Sequence, residues 1–278
     1  MQTLSDIRAL LTARGIRPKH RYGQNFLHDK NQLAKLVDAA GITAGDLVLE
    51  VGPGTGTLTE ALLDVGVSVV ACEIDRDMID ILRDRLGDRI TLIEGDVLER
   101  GRQLREDLVR HIDGRPFRLV ANLPYQVASP LMGALLLDHP NCLGQFVTIQ
   151  REVADRLLSP PGMKTYGPLT IIAQTFARVE RLAIVKPASF WPIPKVTSAM
   201  IALFPHDEHG IDDPHDFARF IVNLFTARRK QLGSVFGRDH DQDWWPEGVA
   251  ATTRPDALTI EQARALWERV RSAEADNM

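Results

Sequence analysis

Four consecutive residues, Asn122-Leu123-Pro124-Tyr125, combine groups that could activate the exocyclic amine of a base such as adenine. That amine is a poor nucleophile because its lone pair is delocalised into the ring. Hydrogen bonds to the Asn122 side-chain oxygen and the Leu123 carbonyl would favour a pyramidal nitrogen whose lone pair can attack. Pro124 would stiffen the turn, and the Tyr125 ring offers a stacking face worth ~1–3 kcal/mol. The pattern predicts group transfer to nitrogen through positioning and preorganised dipoles, although it also fits an ordinary proline turn after a strand.

The elements that must position these residues alternate between apolar strands and helices. Strands are predicted over residues 47–51, 67–74, 90–93, 117–121, 143–149, 181–185 and 198–204. Near-continuous apolar strands with helices between them are typical of a parallel sheet that is covered on both faces. The sequence therefore predicts an α/β fold with a mostly parallel, seven-stranded sheet, and Asn122 directly follows its fourth strand.

Glycine or polar residues stand at the ends of four successive strands. A glycine-rich turn over residues 52–56 follows the first strand, Glu73 ends the second, Asp96 follows the third and Asn122 the fourth. Because the carboxyl ends of parallel strands form the ligand crevice of an open sheet, we expect a binding site there. The glycines would let backbone approach a ligand, Glu73 could accept hydrogen bonds from ribose hydroxyls, and Asp96 could accept one from an adenine amine. Each feature alone also fits a turn or a helix cap.

The residue at position 57 narrows the choice of cofactor. A bare glycine-rich turn fits NAD, FAD or S-adenosylmethionine equally well. The dinucleotide fingerprint G-x-G-x-x-G requires glycine at position 57, where this chain has Thr57. This difference disfavours a nicotinamide-dependent oxidoreductase without excluding one.

The composition of the chain changes after residue 205. Residues 206–210 are polar and turn-rich, as in a linker, and helical patterns follow them. We predict a catalytic domain over residues 1–205, preceded by a basic N-terminal arm, and a small all-α domain over residues 206–278.

Charge, apolar runs and cysteines limit the class of protein. The net charge of −4 does not by itself indicate a nucleic-acid binder. No apolar run is long enough to span a bilayer, and the N-terminus lacks the features of a signal peptide, so we expect a cytoplasmic protein without membrane association. Cys72 and Cys142 fall in apolar segments and are expected to be reduced core residues. No Cys/His spacing indicates a metal site.

Motifs along nearly the whole chain resemble the small-subunit (16S-type) ribosomal RNA adenine N6,N6-dimethyltransferase family. They are Gly23-Gln24-Asn25-Phe26-Leu27, Glu50-Val51-Gly52-Pro53-Gly54-Thr55-Gly56, Glu73-Ile74-Asp75, Gly95-Asp96, Asn122-Leu123-Pro124-Tyr125, Gln150-Arg151-Glu152-Val153-Ala154, Phe190-Trp191-Pro192-Ile193-Pro194-Lys195-Val196 and Phe225-Thr226-Ala227-Arg228-Arg229-Lys230.

The resemblance implies a Rossmann-like S-adenosylmethionine-dependent methyltransferase fold with a small C-terminal all-α domain. It also implies transfer of methyl groups from S-adenosyl-L-methionine to N6 of two adjacent adenosines near the 3′ end of small-subunit rRNA. The expected partner is the immature 30S subunit during its biogenesis, and we expect the protein to act as a monomer.

The resemblance extends to individual residues. The implied cofactor-binding residues are Asn25, Leu27, Gly52, Gly54, Glu73, Asp96 and Asn122. The implied catalytic residues are Asn122, Leu123, Pro124, Tyr125 and Phe190, with Tyr125 and Phe190 on either side of a flipped adenine. Phe190 could instead be a core residue.

Basic residues are candidates for contacts to RNA phosphates. They are Arg14, Arg17, Lys19, Arg21, Lys195, Arg228 and Arg229. The Arg228-Arg229-Lys230 cluster could equally cap a helix or bridge the two domains. Two features depart from the family pattern: Thr197 stands where the family commonly has an acidic or amide residue, and the overall charge is more acidic than is usual for the family.

Other functions fit the same scaffold. One is a large-subunit rRNA adenine methyltransferase of the macrolide-resistance type, which shares the fold and the reaction. Leu123 and the helical C-terminal region favour the small-subunit enzyme over it. Another is a ribosome-assembly or transcription factor that binds RNA without turnover, which the presence of both Asn122 and Tyr125 argues against.

Overall fold

Helices and strands alternate along the residues that the structure, a computed structural model, describes: 1–99, 103–237 and 241–276. The helices are α1 (Leu4–Ala13), α2 (Lys30–Ala39), α3 (Thr57–Val65), α4 (Arg76–Leu86), α5 (Glu106–Ile112), α6 (Tyr125–Asp138), α7 (Arg151–Leu157), α8 (Pro168–Phe176), α9 (Pro214–Thr226), α10 (Gly233–Phe236) and α11 (Ile260–Asp276). The strands are β1 (Phe26–Leu27), β2 (Leu47–Val51), β3 (Ser68–Glu73), β4 (Thr91–Glu94), β5 (Phe117–Asn122), β6 (Cys142–Gln150), β7 (Ala177–Val185), β8 (Phe190–Trp191) and β9 (Ser198–Pro205).

Seven strands form one sheet in the order β4-β3-β2-β5-β6-β9-β7. The pairs β2–β3, β3–β4, β2–β5 and β5–β6 are parallel, whereas β6 and β9 are antiparallel. The chain runs outwards from β2 to β4 on one side and resumes with β5 on the other side of β2. The order thus reverses between β2 and β5, and ligands of open α/β sheets bind at such a reversal, beside the carboxyl ends of the strands. The predicted fold class is confirmed.

The apolar strands predicted the sheet because the central strands are buried on both faces. All five residues of β2 are buried, and so are all residues of β3 except Ser68. A central strand that is covered by helices on both sides shows no alternation of polar and apolar residues. Glu73 and Asn122 stand at the last positions of β3 and β5, where the crevice opens.

A second sheet of two very short strands was not predicted from the sequence. In β1 and β8, Phe26 pairs with Trp191 and Leu27 pairs with Phe190. The Phe26 and Trp191 rings stack with centroids 6.2 Å apart. This pairing brings two of the family motifs, residues 23–27 and 190–196, next to each other.

Contacts within the chain group it into two compact units. The first contains Met1–Ala154 and Val179–Pro205, and the second contains Asp155–Arg178 and His206–Met278. One border coincides with the boundary predicted after residue 205, but residues 155–178 group with the second unit. The division of the chain into independent domains stays a prediction.

The second unit is built around three packed helices. Helix α8 packs against both α9 and α11. The Phe217 ring lies between Phe176 and Trp267, with centroid distances of 6.1 and 5.5 Å. The Trp267 indole donates to Asp216 at 2.8 Å. Because α8 supplies Phe176 to this aromatic core, the segment that carries it belongs to the second unit.

Two classes of feature are absent from the part of the chain that the structure describes. None of its helices combines the length and the apolar character that crossing a membrane requires. Nor do three or more of its His, Cys, Asp or Glu side chains come together in an arrangement that could hold a metal ion.

Candidate active site

A cavity of about 320 Å³ lies in the first unit, at the carboxyl ends of the central strands. Its volume is at the lower end of the range of small-molecule sites, about 300–1,000 Å³. All predicted cofactor-binding and catalytic residues line it, together with the candidate RNA-binding residue Arg21: Asn25, Leu27, Gly52, Gly54, Glu73, Asp96, Asn122, Leu123, Pro124, Tyr125 and Phe190. The fold thus brings together residues that lie far apart in the sequence.

The glycine-rich turn between β2 and α3 depends on backbone conformations that other residues rarely adopt. Gly52 and Gly54 have φ angles of +70° and +58°. A Cβ atom on Gly54 would lie 2.9 Å from the Phe26 ring, and one on Gly52 would lie 3.1 Å from Pro124. Glycine is therefore required both for the turn and for its close approach to two other walls of the cavity.

Glu73 closes one side of the cavity at the end of β3. Its carboxylate accepts hydrogen bonds from the backbone N–H groups of Gly54, Ile74 and Asp75, at 3.1, 2.9 and 2.9 Å. Burial raises the pKa of Glu73, and these three backbone hydrogen bonds oppose that rise. A carboxylate has about four lone-pair sites, so an acceptor remains for a ligand in the cavity.

Glu50 also lines the cavity, although the sequence did not single it out as a site residue. It is only 1% exposed, and its Oε2 atom has no hydrogen-bond partner among the described residues. Desolvation raises the pKa of Glu50 to about 8. The signal in the sequence was an acidic residue inside an apolar strand, immediately before the glycine-rich turn.

Asp96 follows β4 and differs from the two buried glutamates because it is exposed. Its Oδ1 atom accepts a hydrogen bond from the Leu98 N–H at 3.1 Å, which holds the carboxylate at the rim of the cavity. The contact of Asp96 to an adenine amine stays a prediction.

The Asn122 side chain is oriented by a residue from the N-terminal part of the chain. Its Nδ2 atom donates to the Asn25 carbonyl at 3.0 Å, and the Asn25 side chain donates in turn to the Gly23 carbonyl at 3.0 Å. Because the amide nitrogen is held in this way, the amide oxygen of Asn122 is left to accept hydrogen bonds. The next residue is fixed as well, since the Leu123 N–H donates to the Thr148 carbonyl at 3.1 Å.

Two aromatic residues of the cavity are held in different ways. The Tyr125 hydroxyl lies 2.9 Å from the hydroxyl of Ser198, which is fully buried at the start of β9. Burial raises the pKa of Tyr125, and the hydrogen bond to Ser198 opposes this. Phe190 is buried in a hydrophobic cluster with Leu27 and also lines the cavity, so it is both a core residue and a wall of the site.

The candidate RNA-binding residues of the first unit differ in how free their charges are. Arg14 pairs with Asp84 at 2.7 Å. Lys19 pairs with Asp75 at 2.5 Å and with Asp77 at 2.6 Å. Arg17, Arg21 and Lys195 are exposed, and Arg21 lies 4.6 Å from the centroid of the Tyr22 ring.

In the second unit, Arg228 and Arg229 have different surroundings. The Arg228 guanidinium contacts Asp256 at 3.3 Å and donates to the carbonyls of Lys164 and Met163 at 2.9 and 3.0 Å. It links three segments of that unit, whereas Arg229 is exposed. The RNA contacts of all seven basic residues stay a prediction.

A family model described as ribosomal RNA adenine dimethylase matches residues 15–271. The chain belongs to the ribosomal RNA adenine dimethylase family. The family that the sequence motifs predicted is thereby confirmed.

Curated relatives agree with this membership. The chain is 37% identical over 271 residues to the ribosomal RNA small subunit methyltransferase A of Mycobacterium tuberculosis (strain ATCC 25177 / H37Ra), which covers 94% of this chain and 82% of the relative. It is 40% identical over 274 residues to the protein of the same name from Anaeromyxobacter sp. (strain K). This match covers 93% of this chain and 95% of the relative.

Solved structures share the fold. A dimethyladenosine transferase from Plasmodium falciparum matches with a TM-score of 0.72 at 25% identity, over 89% of this chain and 98% of that chain. The 23S rRNA methyltransferase ErmE matches with a TM-score of 0.68 at 24% identity, over 89% of this chain and 100% of that chain. The second likeness bears on the fold alone.

The residues of the cavity fit the methyl donor that the family implies. Glu73 has an acceptor site for ribose hydroxyls, and the turn at Gly52 and Gly54 leaves room that a Cβ atom would fill. The unpartnered oxygen of Glu50 requires a donor, and the α-ammonium group of S-adenosylmethionine is one. Buried polar atoms are usually paired, so a donor of a bound ligand suits this oxygen.

Proposed function

We propose that the protein transfers methyl groups to N6 of two adjacent adenosines near the 3′ end of small-subunit rRNA. Its methyl donor is S-adenosyl-L-methionine. The observation that carries the proposal is the Asn122 amide, which the Asn25 carbonyl holds with its oxygen free at the end of β5. Two relatives at 37% and 40% identity are named ribosomal RNA small subunit methyltransferase A, which supports the choice of RNA.

The residues of the chain carry out the reaction mainly by positioning. When bound, S-adenosylmethionine supplies an electrophilic methyl group on a sulfonium sulfur. The Asn122 oxygen and the Leu123 carbonyl accept hydrogen bonds from the two N–H groups of the adenine amine. These hydrogen bonds direct the lone pair of the nitrogen towards that methyl group. As the N–C bond forms, the S–C bond of the donor breaks and its electron pair stays on sulfur, which leaves as a neutral thioether. The nitrogen loses one proton to water, since neither the amide nor the carbonyl is a base.

Other residues hold the two ligands in place. Tyr125 and Phe190 flank the adenine, which must leave its stack to reach a cavity at the strand ends. Glu73 accepts hydrogen bonds from the ribose of the cofactor, and Asp96 accepts one from its adenine amine. Exposed cations on the first and second units contact RNA phosphates: Arg17, Arg21, Lys195 and Arg229.

The biological substrate is the immature 30S subunit in the cytoplasm, where the enzyme acts as a monomer. A single-stranded or loop RNA suits this cavity best, since an unpaired adenine leaves its stack at a lower cost in free energy than a paired one. A large-subunit methyltransferase is not favoured. The likeness to ErmE is limited to the fold, whereas the curated relatives are named as small-subunit methyltransferases.

Methylation of isolated subunits tests this proposal. Immature small subunits and large subunits are incubated separately with the enzyme and labelled S-adenosylmethionine, and the modified nucleotides are mapped by mass spectrometry. We expect dimethyladenosine at two adjacent positions near the 3′ end of the small-subunit RNA and no label in the large subunit. Label in large-subunit RNA alone would support the alternative instead.

A further inference from the structure

The carboxylate of Asp75 joins three parts of the first unit. Asp75 is 1% exposed and lies two residues after Glu73. Its two oxygens accept hydrogen bonds from the Lys19 ammonium at 2.5 Å and from the Gln24 side-chain amide at 2.6 Å. It also accepts one from the Asp77 N–H at 3.2 Å and so caps the start of α4. A buried carboxylate with this set of donors is held firmly, and it holds its donors in return.

Two of these donors, Lys19 and Gln24, belong to residues 19–27, a segment that lines the cavity over residues 21–27. The Gln24 side chain spans this segment, because its oxygen accepts from the Lys19 N–H at 2.7 Å while its nitrogen donates to Asp75. Residues 21–27 all line the cavity. The segment is therefore attached to the end of β3 through Asp75 on one side and closes over the crevice on the other.

The same segment orients the Asn122 amide. The carbonyl that accepts from Asn122 belongs to Asn25, the residue immediately after Gln24. A shift of Gln24 would move this carbonyl, and the amide of Asn122 would lose its only hydrogen bond among the described residues. A continuous path of covalent and hydrogen bonds thus leads from Asp75 through Gln24 and Asn25 to Asn122.

Charge compensation makes this anchor stable. Desolvation lowers the pKa of Lys19, but its hydrogen bonds to Asp75 and Asp77 outweigh that effect, and the net pKa lies above its ordinary value. Lys19 is therefore charged at neutral pH and compensates the buried carboxylate. The ion pair also ties up a lysine that the sequence had indicated as a candidate for RNA contact.

We infer that Asp75 is a positioning residue for methyl transfer, which acts through Gln24 and Asn25 to fix the orientation of the Asn122 amide. The inference rests on the proposed function, since it assumes that Asn122 holds the target amine. Glu73 and Asp75 share one turn, in which the Asp75 N–H donates to Glu73 at 2.9 Å. Asp75 therefore connects the end of β3, where the cofactor ribose binds, to the end of β5, where the base reacts.

The Asp75→Asn variant removes the charge and keeps the shape of the side chain. We expect kcat to fall roughly tenfold or more, because charge-assisted hydrogen bonds to Lys19 and Gln24 are lost, while KM for RNA changes little. The matched control is Asp80→Asn, an exposed aspartate of the same helix that pairs with Arg83 at 3.9 Å, and it should leave kcat unchanged. Gln24→Ala leaves the Lys19–Asp75 pair in place and provides the test if Asp75→Asn fails to fold.

Two measurements separate positioning from a general structural effect. The first is a double-mutant cycle: in an Asn122→Ala background, Asp75→Asn should lower kcat by less than about threefold, since the amide it positions is gone. The second is amide hydrogen exchange of residues 19–27 in the cofactor-free protein, which should be faster in Asp75→Asn and Gln24→Ala than in wild type.

The outcomes distinguish this inference from the proposed function. Equal losses of kcat in both backgrounds, or unchanged exchange in residues 19–27, would overturn the role of Asp75 while wild-type methylation still supports the function. A wild-type enzyme that methylates no adenosine would overturn the proposed function, and the exchange experiment would then still decide whether Asp75 anchors the segment.

Discussion

The Asn122 side chain donates to the backbone carbonyl of Asn25 at 3.0 Å, across 97 residues of sequence. This contact joins the end of a central strand to the segment that precedes α2, and both lie on the same cavity. It occupies the amide nitrogen of Asn122 and leaves the amide oxygen to accept other hydrogen bonds. In the proposed reaction, the orientation of Asn122 therefore depends on a backbone acceptor that no side-chain substitution can remove directly.

Removing the hydroxyl partner of Tyr125 should weaken RNA binding more than the chemical step. In Ser198→Ala the Tyr125 hydroxyl loses the hydrogen bond that holds its ring in place, so KM for RNA should rise roughly three- to tenfold, the effect of one neutral hydrogen bond. Steady-state kinetics with Ser198→Ala, Tyr125→Phe and the double variant would measure this. If the two effects add fully, the hydroxyls are not coupled and this role of Ser198 is wrong.

Gly54→Ala should weaken cofactor binding with only a modest loss of stability. The new methyl group would meet the Phe26 ring at 2.9 Å, in a backbone conformation with φ of +58° that disfavours alanine. We expect the affinity for S-adenosylmethionine, measured by calorimetry, to fall at least tenfold. Gly133→Ala is the control, because Gly133 lies within α6 with no atom near its Cβ position, and it should bind the cofactor normally.

Replacing Glu50 by glutamine should stabilise the cofactor-free protein increasingly as the pH rises. The pKa of Glu50 is raised by burial from 4.5 to about 8 in the folded protein. Between these values the unfolded chain ionises this carboxyl and the folded chain does not. The free energy of unfolding of the wild type therefore falls with pH relative to the variant, by up to about 1.4 kcal/mol per pH unit.

Thermal unfolding of both proteins from pH 5 to pH 8 measures this difference. The gap in Tm should be small at pH 5 and should widen towards pH 8. A constant gap across the range would show that Glu50 is not forced into its neutral form. The same variant should bind S-adenosylmethionine more weakly, since an amide does not compensate an ammonium charge.

Arg228 and Arg229 should respond differently to alanine. Arg228→Ala removes contacts to Asp256 and to two backbone carbonyls, so it should lower the free energy of unfolding by roughly 1–2 kcal/mol. Arg229→Ala should leave stability unchanged and reduce RNA affinity, with a shallower dependence of affinity on salt. Denaturant unfolding and filter binding at several salt concentrations test both, and a stability loss in Arg229→Ala alone would contradict the assignment.

Much of the fold could be predicted from the sequence because its signals are local. Residues 47–56 alone predict a buried strand followed by a glycine-rich turn. The acidic and amide residues at the ends of later strands are then expected at the same edge of the sheet, because the strands are parallel. The pairing of β1 with β8 could not be predicted, since strands of two residues carry no periodicity and their partners lie far apart in the sequence. Residues 155–178 joined the second unit for a similar reason, because helix packing is not visible in the order of elements.

The candidate site was predicted less completely than the fold. The motif residues at the strand ends were predicted to share a crevice, and they line one cavity. The partners of charged residues could not be predicted, because they depend on tertiary structure. Lys19 lies in a basic stretch and was predicted as a candidate for RNA contact, but in the structure it pairs with Asp75 and Asp77. Glu50 was passed over because a buried acid within an apolar strand cannot be distinguished from a structural residue until its unpaired oxygen is seen.

The most direct test of the central claim is single-turnover methyl transfer by Asn122→Ala. The variant lacks the acceptor for the adenine amine, so the rate should fall roughly 10²–10³-fold, the effect of removing one preorganised polar group, while RNA binding measured in parallel is unchanged. A rate equal to that of the wild type would contradict the claim that Asn122 activates the amine.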